Sequence, residues 1–232
     1  MKSLLKDTFD RIYIYRFEVF FIIQLLILFG SIIVPQTIHE ETLLPLLFLL
    51  NIGIGIILIH KSKRLMWFCI LLFLVSVIYF GKAMLSRQED DGILIRLLIY
   101  SIFYLIVTWN IIREIWSMKS VDRNVIFGLM SGYISLGFLA FFLFMAIELL
   151  HPGSFVGKVL ESEEFALRVD GIMYYAYITL MTIGYGEIIP ATTVAQKAAV
   201  LVGLAGQFYL VIITAVVIEK YMYSRHQNEG DV

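Results

Sequence analysis

Six long apolar runs, at roughly 17–34, 42–60, 65–85, 93–116, 125–150 and 194–218, leave this 232-residue chain few ways to fold. A helix rises 1.5 Å per residue, so about 20 apolar residues cover the hydrocarbon core of a bilayer. In that medium every backbone N–H and C=O must find a partner within the protein, and a helix supplies one internally. The runs therefore predict an all-α membrane protein with six transmembrane helices. Hydrophobic residues make up 60% of the chain and charged residues 16%, against about 45–50% and 25% in soluble domains.

Polar punctuation separates the runs: Pro35 with His39-Glu40-Glu41, Lys61 to Arg64, Ser86 to Gly92, and Lys119 to Asn124. Basic residues fall on one side. Lys2, Lys6, Arg11, Arg16, Lys61, Lys63, Arg64, Arg113, Lys119, Arg123, Lys220 and Arg225 account for twelve of the 18. The positive-inside rule then predicts that both termini are cytoplasmic. The opposite side collects Glu40, Glu41, Glu89, Asp90, Asp91, Glu161, Glu163, Glu164, Asp170 and Glu187.

A net charge of −1 gives no reason to expect a nucleic-acid partner. Cys69 is the single cysteine, so no intrachain disulfide can form, and its apolar run predicts a buried thiol. His39, His60, His151 and His226 lack metal-site spacing, and no catalytic constellation is present, so neither enzyme activity nor a cofactor is expected. Trp67, Trp109 and Trp116 read as interfacial anchors, and Gln24 and Asn51 as interhelical hydrogen-bond partners. Leu5, Phe9, Ile12 and Arg16 lie at helical spacing, which fits an interfacial helix or a partly disordered tail.

Between the last two runs lies Thr182-Ile183-Gly184-Tyr185-Gly186, followed by Glu187 and preceded by the aromatic segment Tyr174 to Met181. An extended backbone offers a carbonyl about every 3.3 Å, and glycine supplies positive φ at no steric cost. This pattern resembles the potassium-channel superfamily: outer helix, re-entrant pore helix, selectivity filter, inner helix. The resemblance covers about 125–220. It implies that potassium is held by the carbonyls of Thr182, Ile183, Gly184 and Tyr185 and by the Thr182 hydroxyl, with Gly186 closing the filter. It implies filter support from Tyr174, Tyr175, Thr179 and Glu187, and a gating hinge or a close-packing position at Gly206. One filter strand cannot encircle an ion, so a homotetramer in a lipid bilayer is implied. The pore helix is expected at about 171–181, with Asp170 at its start as cap or dipole partner.

The resulting organisation is a cytoplasmic segment at 1–16, a four-helix peripheral domain at 17–117, a pore domain at 125–219 and a short tail at 220–232. The implied function is passive potassium conduction, with an unidentified ligand, lipid or partner as gating stimulus. The inner helix resembles bacterial members, which points to a prokaryotic plasma membrane. Two alternatives stay open: a nonselective cation channel, and an accessory or sensory protein that forms no pore. Three positions depart from the family pattern. Met181 stands where a second threonine is usual, Ile178 where some members place a glutamate, and Glu187 in place of aspartate.

The fourth run bears on voltage. A voltage-sensing helix resembles a ladder of arginines at every third position, whereas Ile93 to Trp116 has only Arg96 and Arg113. One charge crossing the full field is worth about 2.3 kcal/mol per 100 mV, and steep gating uses three to four charges per subunit. Conductance is therefore expected to vary only shallowly with voltage in patch recordings. A steep curve that flattens in Arg96→Gln would overturn the expectation.

Overall fold

The computed structural model describes residues 15–34, 43–59, 63–86, 93–117 and 123–230. The elements run α1 (Arg16–Ile33), α2 (Leu44–Leu58), α3 (Lys63–Ser86), α4 (Ile93–Ser117), α5 (Arg123–Leu150), β1 (Phe155–Val156), α6 (Phe165–Leu180), β2 (Ile189–Pro190) and α7 (Thr193–Gly230). A 3-10 turn at Lys158–Glu161 joins β1 to α6. Apart from its last two residues, the amphipathic stretch at 3–16 lies outside the described residues.

The chain is all-α, with one small ribbon in which Phe155 pairs with Pro190 and Val156 with Ile189. Among the described residues four helices are long and apolar enough to cross a membrane: Arg16–Ile33, Ile93–Glu114, Arg123–Leu150 and Thr193–Glu219. α3 has the length at 24 residues. α2, at 15 residues, falls short of the 42–60 run and reaches about 22 Å. Local chemistry sets several ends. Pro45 sits in the first turn of α2, where a missing N–H costs nothing. Val34 is extended ahead of Pro35, as a residue before proline must be. α7 continues as helix to Gly230, through the segment expected as a tail.

Contacts divide the chain into two compact units, and α4, α5 and α7 each contribute to both. One unit comprises residues 1–87, 106–132 and 217–232, the other 88–105 and 133–216. In the first, α1 packs on α2 and α2 on α3. α1 is its hub. Asn51 donates an amide hydrogen to the Phe20 carbonyl at 3.2 Å, which is the interhelical role expected of it. Gln24 is fully buried on the same helix. Ser131 donates to the Phe17 carbonyl, and the Phe21 and Phe127 rings meet edge to face at 5.6 Å. Cys69 is buried, while Trp67, Trp109 and Trp116 are each more than three-fifths exposed, as outward-facing anchors should be.

Two ion pairs fix the start of α1. Arg16 donates to Glu114 at 2.9 Å, with both side chains only 10% exposed, and its guanidinium also lies over the Phe17 ring. Glu18 meets Arg123 at 2.9 Å, but the Arg123 side chain is 70% exposed. Arg16 at a helix start and Glu114 near a helix end each oppose their own helix dipole, and pairing offsets both. Removing one partner of a buried pair leaves the other charge stranded, at about 3–5 kcal/mol, whereas exposed pairs contribute about 0–1 kcal/mol. Glu114→Gln is expected to lower the thermal inactivation temperature in mild detergent well below that of Arg123→Gln. Equal effects would contradict this account of α1.

Candidate functional site: the loop between α6 and α7

α6 is longer than the sequence suggests. It starts at Phe165, with Glu164 as N-cap, so Asp170 lies in its second turn and is neither cap nor first-turn dipole partner. The expected start at about 171 falls on Gly171, inside the helix. Gly171 gives clearance: a Cβ there would fall 2.4 Å from Val159 Cγ1 on the 3-10 turn. The Glu164 amide donates to the Ser162 hydroxyl, and the exposed Glu161, Glu163 and Glu164 carboxylates cluster near the positive end of the helix.

At its other end α6 closes in a Schellman arrangement. Ile183 N–H donates to the Ile178 carbonyl at 2.9 Å, and Thr182 N–H to the Thr179 carbonyl at 3.0 Å. Gly184 N–H also reaches Ile178 O, at 3.4 Å. In such a cap the residue after the helix is left-handed, normally glycine. Here it is Thr182, with φ 57°. Gly184 and Gly186 follow with φ 58° and 93°, while Ile183 and Tyr185 keep negative φ. Alternating hand along an extended backbone turns successive carbonyls toward one side instead of opposite sides. The sequence pointed to the two glycines. It gave no sign of Thr182, because a β-branched residue disfavours this region.

The supporting residues fall into three groups. The Tyr174 hydroxyl hydrogen-bonds the Glu187 carboxylate, and losing that bond on ionisation pushes the phenol pKa up to about 12. Glu187 thus has a partner on α6 although residue 178 is isoleucine. Tyr175 lies in an aromatic triangle with Phe144 of α5 and Phe155 of β1, ring centroids 5.1–5.3 Å apart, and hydrogen-bonds the Thr179 side chain. The ribbon joins the segment after Gly186 to the loop after α5. Ala191 N–H donates to the Ser154 carbonyl and the Thr192 hydroxyl to the Ser154 hydroxyl, while Glu148 accepts from Gly153 and Phe155 N–H at 2.8 and 3.0 Å.

Sequence reasoning also missed Tyr177. Its hydroxyl donates to the Ile134 carbonyl at 2.8 Å, and its ring lies where a Cβ on Gly137 would be. Tyr104 of α4, Phe138 of α5 and Tyr177 of α6 form a continuous line of edge-to-face rings at 5.2 and 5.9 Å. The signal available was the pairing of Gly137 with the aromatic residues of α6, visible only once the partner is known.

Gly206 lies against the end of α6. A Cβ there would sit 2.2 Å from the Leu180 carbonyl oxygen, and α7 runs unbroken through the position. This contact accounts for the glycine through packing. The neighbouring Gln207, absent from the sequence reading, donates from Nε2 to the Thr182 hydroxyl at 3.1 Å. Among the described residues no group of three or more His, Cys, Asp or Glu side chains converges on a metal position.

Residues 144–223 match the protein family described as "Ion channel". Potassium voltage-gated channel subfamily A member 10 of Homo sapiens is 27% identical over 92 residues, 40% of this chain and 18% of the relative. Subfamily A member 2 of Xenopus laevis is 26% identical over 97 residues, 41% and 19%. Subfamily A member 7 of Homo sapiens is 26% identical over 97 residues, 41% and 21%. The chain spans about a fifth of the length of these curated relatives. No solved structure matches significantly. Residues 144–223 are thus similar to an ion-channel domain, and the relatives that resemble this stretch are potassium channels.

The glycines separate into two kinds. Gly184 has nothing within 4 Å of its missing Cβ, so Gly184→Ala meets only the strain of a left-handed residue, about 1–2 kcal/mol. Gly206→Ala drives a carbon into a backbone oxygen, while at Gly203 the nearest atom is 3.9 Å away. Thermal stability is expected to fall most in Gly206→Ala and to change little in Gly203→Ala. Equal tolerance at 203 and 206 would contradict the close approach of α7 to Leu180.

Proposed function

We propose that the chain is one subunit of a homotetrameric, potassium-selective channel that conducts passively and needs no cofactor. The alternating hand of Thr182, Gly184 and Gly186 carries the reading. It is the conformation in which carbonyls of Thr182, Ile183, Gly184 and Tyr185, with the Thr182 hydroxyl, can replace the water shell of a dehydrating potassium ion. The last carbonyls of α6 add negative dipole at the Thr182 end of that row and favour a cation there.

Exposure in the single chain supports assembly. Only 17% of the most apolar window of α7 is buried, against 44–50% for the other three candidate spans. Tyr185 is 73% exposed and Phe208 61%, so the filter and the α7 face beside it lack cover that further subunits would supply. The six-span topology, the cytoplasmic termini, the prokaryotic plasma membrane and the weak voltage dependence belong to the same reading. Tyr185 disfavours the nonselective alternative, whose members usually replace the filter tyrosine. Gly206 serves there as a packing contact and as the point about which α7 could bend.

In proteoliposomes under bi-ionic conditions the reversal potential is expected to follow the potassium gradient and ignore sodium. Tyr185→Asp is expected to lower potassium-over-sodium selectivity or abolish current while the protein stays inserted. A wild-type reversal potential indifferent to potassium would refute the channel assignment.

A further inference from the structure

Gln207 is anomalous in its own helix. From Ala198 to Ile213 it is the only polar side chain apart from the Tyr209 phenol. Its neighbours Leu204, Phe208 and Val211 are apolar and exposed, as lipid- or subunit-facing residues are. An amide there has no packing advantage over leucine, so its hydrogen bond is the feature to explain. That bond runs to the residue whose backbone is most strained for its type, the left-handed threonine at the foot of the filter.

Geometry links the two. Because residue 206 has no side chain, α7 approaches α6 until its backbone meets the Leu180 carbonyl. The next residue along α7 then reaches past the helix end to Thr182, two residues after Leu180. A larger residue at 206 would hold the amide away from the hydroxyl. Gly206 sets the approach and Gln207 uses it.

The chemistry follows from donor and acceptor counts. A threonine hydroxyl has one hydrogen and two lone pairs. With the Gln207 N–H taking one lone pair, the hydroxyl no longer turns freely, and the other lone pair keeps a fixed direction toward a cation. We propose that Gln207 is a positioning residue for the cation site at the Thr182 end of the filter, orienting the Thr182 hydroxyl and so setting how tightly dehydrated cations are held there. The proposal rests on the channel reading above.

Barium is the probe, being close to potassium in size and doubly charged. In wild-type channels in planar bilayers, block is measured with barium added on the side facing Thr182 and, separately, on the Tyr185 side. Gln207→Leu keeps the volume and removes the bond. It is expected to weaken block from the Thr182 side about three- to tenfold, the range set by one hydrogen bond, with under twofold change from the other side. Gln207→Asn keeps the amide but is one methylene short, and is expected to behave like leucine. It also serves as the test should the leucine variant not assemble as a tetramer on size exclusion. In a Thr182→Cys background, whose thiol is a weak acceptor, Gln207→Leu is expected to change block less than twofold. Block unchanged in both Gln207 variants, or an equal loss with and without the Thr182 hydroxyl, would overturn the proposal. Wild-type protein without potassium-driven current would instead overturn the channel reading beneath it.

Discussion

The Ile178 carbonyl accepts the Ile183 amide, and the loop between α6 and α7 depends on that bond. Irregular backbone at membrane depth is tolerated only where it is buried in protein or lines water, and its polar groups still need partners. A helix that ends in the same place leaves its last carbonyls without partners too. Folding Thr182 to Gly184 back over the last turn of α6 answers both needs at once. It also determines handedness. The cap makes Thr182 left-handed, and the alternation through Gly184 and Gly186 continues from there. The conformation of residues 182–186 is thus an extension of a helix cap.

Around that cap, each surrounding element fixes a different part of the loop. α5 reaches α6 through Tyr177, Gly137 and Phe138, and reaches the ribbon through Glu148. The ribbon secures the segment just beyond Gly186, and Tyr174 holds Glu187. α7 touches the foot through Gly206 and Gln207. These supports come from several separate elements of the chain. The unit that contains α1 is built differently, around the Arg16–Glu114 pair and the buried face of α1.

Much of this was legible beforehand because hydrophobic length and glycine placement are direct physical signals. The apolar runs marked the long helices, and Gly184 and Gly186 marked the left-handed backbone. What escaped was partnership. Nothing near Asp170 says that the helix starts a turn and a half earlier, since Gly171 looks like a breaker until Val159 is seen beside it. The ribbon at Phe155–Val156 and Ile189–Pro190 is too short for any periodicity. Gln207 gave no signal because its partner lies 25 positions earlier. The division into compact units likewise follows contacts that cut across α4, α5 and α7, which a linear reading cannot see.

The approach of α7 to Leu180 also limits how such a sequence can diverge. When two side chains touch, enlargement of one can be matched by shrinkage of the other, and a lineage can pass through the pair by compensating steps. At Gly206 the opposing atom is a main-chain oxygen, present whatever residue occupies 180. No replacement at 180 can make room for a Cβ at 206. Substitution at that glycine is accessible only by moving the helix, and moving the helix separates Gln207 from Thr182.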